Sequence, residues 1–142
     1  MADTKAFEAI TMEAVGNLLV EAGYETSSGG QESCLFVKEP GSGLTFTCVL
    51  ENNILFNTVA CIEIEESVAT PELLRLLLDA ENGISTSNFQ LIKSNSGKII
   101  ITLNNFCKLQ DLGPEDRDDV LSCMEFLDVD VLAARELLSG HL

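Results

Sequence analysis

Residues 111–119 read DLGPEDRDD and crowd Asp111, Glu115, Asp116, Asp118 and Asp119 into nine positions. Carboxylates at this density could hold a divalent cation, or serve proton transfer if two of them converged in a pocket. The stretch lacks the central glycine and the twelfth-position Glu of an EF-hand loop. The simpler expectation is a solvated helix start whose acids suit the positive end of the helix dipole. Glu63, Glu65 and Glu66 in EIEES read as an exposed strand end. Cys48 and Cys61 could be nucleophiles, but both lie inside strand-like runs, where buried, inert thiols are expected. Histidine occurs once, at His141 next to the C-terminus, where a frayed residue is expected, so neither a Ser-His or Cys-His pair nor a histidine-rich metal site is expected. SSGG and GSG lack the Lys-Ser/Thr of a phosphate-binding loop and read as turns. The expectation is a chain that is not an enzyme, with no catalytic residue, no metal site and no cofactor.

The bulk composition narrows the class of partner. At 142 residues and 46% apolar, the chain can close one hydrophobic core, so a single domain over 1–142 is expected. With 23 acidic against 8 basic residues, its formal net charge is −15. Such a surface repels phosphate backbones and anionic lipid, so no nucleic acid and no membrane partner is expected, whereas a basic protein would be attracted. No apolar run approaches the roughly 20 residues of a membrane span. The first residues, MADTKAFEAI, lack the order of a secretory signal. Five scattered cysteines with no CxxC pair point to reduced thiols and a cytoplasmic location.

Elements must position whatever surface the chain uses. A helix over about 5–22 carries Phe7, Ile10, Ala14, Leu18 and Ala22 at helical spacing and stops at Gly23. SSGGQ is then a loop. Three strands follow in ESCLFVKE, GLTFTCVL and NILFNTVACIEIE, the last two joined by Asn52-Asn53, residues that tolerate left-handed dihedrals. Thr70 and Pro71 open a second helix as N-cap and first-turn residue. NFQLIKS and KIIITLNNF form a second hairpin through NSG, and a long helix runs from Gly113-Pro114 to about Leu138. Its stripe is Val120, Cys123, Met124, Leu127, Val131, Ala134 and Leu138. The fold class is α+β, in the order α-β-β-β-α-β-β-α, an antiparallel sheet packed with helices.

Two helices carry more apolar surface than one core contact requires. In PELLRLLLDAEN, the leucines and Ala80 cover an arc of about 200° at about 100° per residue, twice the stripe needed to lie on a sheet. Either the other helices cover the excess, or Leu73, Leu74, Leu77 and Leu78 form the interface of a homodimer. On the last helix, Phe126, Ala133 and Leu137 flank the main stripe. They suit either a tightly packed core or the binding of a segment of a partner protein.

The passage LLRLLLDAENGISTSNFQLIKSNSGKIIITLNNF, with three strands before it and a long amphipathic helix after it, resembles the type III secretion chaperone-like fold. That group includes the Tir chaperone family and the bacterial YbjN-like proteins, which are proposed regulators. The resemblance extends over about residues 5–138. It implies a dimer built partly by the middle helix, and partner chains lying on apolar patches of sheet and helices. The expected function is chaperone-like or regulatory protein binding through an apolar surface, with an acidic rim that keeps the complex soluble. The alternatives are a small-ligand protein or enzyme with an acidic cleft, and a structural subunit of a larger complex.

Overall fold

The computed structural model describes residues 10–142. Its elements are α1 (Met12–Glu21), β1 (Glu25–Ser28), β2 (Cys34–Lys38), β3 (Thr45–Glu51), β4 (Ile54–Ile64), α2 (Pro71–Leu78), β5 (Asn88–Lys93), β6 (Ile99–Lys108) and α3 (Pro114–Ser139). The strands make a six-stranded sheet of order β1-β2-β3-β4-β6-β5, with consecutive neighbours antiparallel along β1-β2-β3 and β6-β5. The α+β class and element order agree with the sequence reading, with one strand added. That strand, β1, spells ETSS and has no apolar alternation. It exists through main-chain pairing with β2, Glu25 opposite Lys38 and Ser28 opposite Leu35. The chain divides into two compact units, Met1–Asn57 with Phe106–Met124, and Thr58–Asn105 with Glu125–Leu142. β4, β6 and α3 each contribute residues to both.

In the first unit, α1 packs on β1 and β2. Thr11 caps the helix, its hydroxyl accepting from the Ala14 N–H. The buried face of α1 is Met12, Val15, Leu18 and Leu19. The spacing suggests a stripe through Phe7, Ile10, Ala14, Leu18 and Ala22, of which Leu18 is buried. Phe7 lies outside the described residues, while Ile10, Ala14 and Ala22 are only half-buried. Large aliphatics one turn-face away win the core because they remove more surface from water. Asn52 and Asn53 take φ of 53° and 61°, the paired left-handed dihedrals of a two-residue hairpin. Such a turn sets Leu50 opposite Leu55 and Val49 opposite Phe56. Asn53 also accepts from the Ile10 N–H through its side chain and from the Leu109 N–H through its carbonyl. Phe46, Cys48, Leu55, Val120 and Met124 fill this core.

In the second unit, α2 begins as its sequence implies, with the Thr70 hydroxyl accepting from the Leu73 N–H and Pro71 at the first position. Its end is closed by Asn82, whose side-chain amide donates to the carbonyls of Leu77 and Leu76, while its oxygen accepts from the Ile84 N–H. One side chain thereby satisfies carbonyls that the last helical turn leaves open. Leu73 and Leu77 bury against Ile64, Ile101 and Leu138. Every residue of the stripe read on the last helix, from Val120 to Leu138, is buried. Asp130, in the middle of α3, is buried too and accepts from the Thr86 and Ser87 hydroxyls at 2.6 and 2.5 Å. It ties the loop after α2 to the helix.

Candidate protein-docking surface

Two of the five acids of residues 111–119, Asp111 and Asp116, take structural roles. Asp116, at the third position of α3, is buried, and its Oδ2 accepts from the N–H groups of Gln110, Asp111 and Leu112 at 2.7, 2.9 and 2.7 Å. Asp111 accepts from the Gly113 N–H. Glu115, Asp118 and Asp119 are exposed on the first turns. Asp111 and Asp116 order the loop that turns into α3, where Leu112 holds a left-handed φ of 57°. Among the described residues, no group of three or more His, Cys, Asp or Glu is placed to hold a metal ion. A cleft of about 480 Å³ beside Pro114 is lined by Leu18, Leu112, Arg117 and Glu21, and its two charges face each other at 3.7 Å. A second cleft, about 380 Å³, carries two carboxylates, Glu13 and Glu32, both exposed.

Two of the thiols, Cys48 and Cys61, sit where burial suppresses their ionisation. Burial pushes Cys48 up to about 12, with the nearby Cys34 and Cys123 adding to the shift. Burial likewise raises Cys61 to about 11, although the Arg135 guanidinium works against it. Cys107 and Cys123 share a hydrogen bond that raises the former and lowers the latter.

The leucine helix is covered largely from within its own unit. Leu73 and Leu77 are core residues, Leu74 and Leu76 are half-buried against the same cluster, and Leu78 is 82% exposed. The structure thus brings two of the four proposed dimer residues into the core and leaves one at the surface. On α3, Phe126 is 47% exposed, Ala133 is exposed, and Leu137 is half-buried. Val129 and Leu132, at 65% and 66% exposure, join them. The sequence reading missed these two because the stripe opposite them explained the helix by itself. Their signal was present, since positions 126, 129 and 133 follow the spacing of a second helical face.

A second set of exposed apolar residues lies on the sheet of the first unit. Phe36, Phe56 and Phe106 all project from the face opposite the buried Val37, Leu55 and Phe46, and the Phe56 and Phe106 rings stand 6.0 Å apart. The sequence carried a trace of them in CLFV and ILF, short continuously apolar runs where a one-sided strand would alternate. In the second unit the next positions along the same face are polar before Ile62, Ile92 and Ile100 follow. Thr58 donates to Asn104, and Asn104 donates to Thr102 and to the Asn88 carbonyl. No helix among the described residues is long and apolar enough to cross a membrane.

The sequence matches no protein-family model and no curated protein. Among solved structures, it is similar to the crystal structure of YbjN from E. coli, described as a proposed transcription regulator, with a TM-score of 0.67 over 93% of each chain at 10% identity. At that identity the likeness speaks for fold alone. It supports the YbjN-like half of the expected resemblance and adds nothing for the Tir chaperone family. The chain has a YbjN-like α+β fold.

Proposed function

We propose that this chain is a non-enzymatic protein-binding module, regulatory or chaperone-like, that captures a segment of a partner protein on an apolar surface. The observation that carries the reading is the row Phe126, Val129, Leu132 and Ala133, exposed along the solvent side of α3. A helix whose opposite side already supplies the core gains nothing for folding from such a row. Full burial of a Phe, Val or Leu side chain is worth roughly 1.5–3 kcal/mol, of which a partner covering Phe126, Val129 and Leu132 would recover the exposed share. The YbjN-like fold, found in a proposed regulator, agrees with a binding role, and a cytoplasmic setting is part of the same proposal. The test is capture from a native lysate after gentle crosslinking, wild type beside Leu132→Glu. A partner held by the wild type and released by the variant is the expected result. Equal recovery by both would sink the assignment to α3.

A homodimer through α2 is the second reading, favoured by the exposure of Leu78 at the end of that helix. Light scattering over a hundredfold dilution should then show a dimer that Leu78→Glu converts to a folded monomer. A wild-type monomer at every concentration would end it.

A further inference from the structure

We infer that the partner taken by α3 is a cationic amphipathic helix, a claim that rests on the docking surface just proposed and names its occupant. Within residues 125–139, steps of about 100° place Val129, Leu132 and Ala133 within about 120° of Phe126, on the side opposite the buried Leu127, Val131, Ala134 and Leu138. The same arc holds Glu125 and Glu136, both exposed. It holds no base. Arg135, the one basic residue of this stretch, projects to the flank, where its Nε donates to the Cys61 carbonyl at 3.0 Å. Asp130 is turned inward to Thr86 and Ser87. The surface is therefore an apolar row bracketed by carboxylates whose charge nothing on the same face offsets.

That charge pattern selects among occupants. A second copy would set Glu125 and Glu136 against their equivalents, between molecules that each carry a formal charge of −15. Like charges facing each other across an interface oppose pairing. A partner with lysines or arginines flanking leucines meets both demands, covering the apolar row and pairing with the two carboxylates. The geometry favours a helical partner over an extended one. An extended segment draws its affinity from main-chain hydrogen bonds to a sheet edge, which the side of a helix cannot offer, whereas two helices interlock side-chain ridges and grooves. From Glu125 to Glu136 the face is about 16 Å long, or about three turns. That length suits a short helix.

The probe is a fluorescein-labelled synthetic helix of about 18 residues, about five turns, with leucines at i, i+3, i+4 and i+7 and lysines on both flanks. Two relatives accompany it: one with the lysines changed to glutamate, and one keeping the lysines but with the leucines changed to serine. Fluorescence anisotropy at about 0.15 M salt, where the screening length is about 8 Å, suppresses diffuse attraction. We expect the lysine-leucine helix to bind at least about tenfold more tightly than either relative, a difference of about 1.4 kcal/mol. Leu132→Ser and the pair Glu125→Lys with Glu136→Lys should each weaken it by about tenfold or more, while Glu13→Lys on α1 should not. Equal binding of the lysine and glutamate helices, both lost in Leu132→Ser, would leave the docking surface standing and overturn the cationic partner. Equal binding of the serine peptide would reduce the effect to charge alone and overturn the inference. A wild-type dimer dissolved by Leu132→Ser would assign the face to a second copy, also against it. Binding of none of the three would remove both the inference and the surface on which it rests.

Discussion

Single side chains in this protein repeatedly take structural roles that their chemistry alone would not announce. Asp116 is the clearest, because three N–H groups converge on one carboxylate oxygen. Hydrogen bonds to a charged acceptor contribute about 1.5–3 kcal/mol, and leaving buried donors without a partner adds to the cost. Asp116→Ala should therefore lower unfolding free energy by about 2–4 kcal/mol in urea titration, whereas Asp118→Ala, on an exposed turn, should stay within about 0.5 kcal/mol. Cys48 gives a pH dependence whose sign follows from its burial. Its pKa is raised to about 12 in the folded state against an ordinary thiol value of 9.0, so the unfolded chain holds fewer protons between those values. The stabilisation is complete below about pH 9 and is lost as pH rises toward 12, with full ionisation costing on the order of 4 kcal/mol. Urea midpoints should fall between pH 8.5 and about 10.5, and Cys48→Ala should flatten that fall. A midpoint insensitive to the substitution would remove Cys48 as the cause.

At the scale of elements, α2 separates what is buried from what merely looks greasy. Leu77 packs against Ile64, Ile101 and Leu138, so Leu77→Ala should cost about 2–5 kcal/mol. Leu78, one residue on, should tolerate alanine within about 0.5 kcal/mol, since its side chain already lies in water. Similar losses at both positions would mean that Leu78 is covered in solution, which is what a dimer through α2 requires. The sequence made this helix legible at its start, by Thr70 and Pro71, whereas the closing role of Asn82 emerged only from its hydrogen bonds to Leu76 and Leu77. It did not say which leucines face inward, because an arc of about 200° offers several inward-facing orientations. β1 was illegible for a different reason: main-chain pairing needs no side-chain pattern, and ETSS has none.

At the scale of the whole molecule, β4, β6 and α3 run through both compact units, so neither unit can unfold without releasing part of an element that the other uses. One cooperative transition is expected, as for a single domain over 1–142. Far-ultraviolet dichroism and an intrinsic probe at Tyr24 should give the same midpoint. Two separated midpoints would divide the chain into independent domains. A net charge of −15 also predicts self-repulsion in the compact state, relieved as salt shortens the screening length from about 30 Å at 0.01 M to about 10 Å at 0.1 M. The thermal midpoint should accordingly rise with sodium chloride over that range.

By itself the sequence determined the fold class, the hairpin at Asn52-Asn53, the N-terminal cap of α2 and the whole buried stripe of α3, because these are local chemistry or strict periodicity. Turn dihedrals, capping hydroxyls and a repeat matched to the helical turn act over a few residues and survive into any tertiary context. Only the tertiary structure decided whether the second apolar face of an element meets water. Phe126, Val129 and Leu132 on α3, and Phe56 and Phe106 on the sheet, are as apolar as the residues buried behind them. What distinguishes them is the presence or absence of atoms contributed from elsewhere in the chain. Among the described residues, the inward faces of α3 and β4 are covered by such atoms, and the outward faces stand largely exposed.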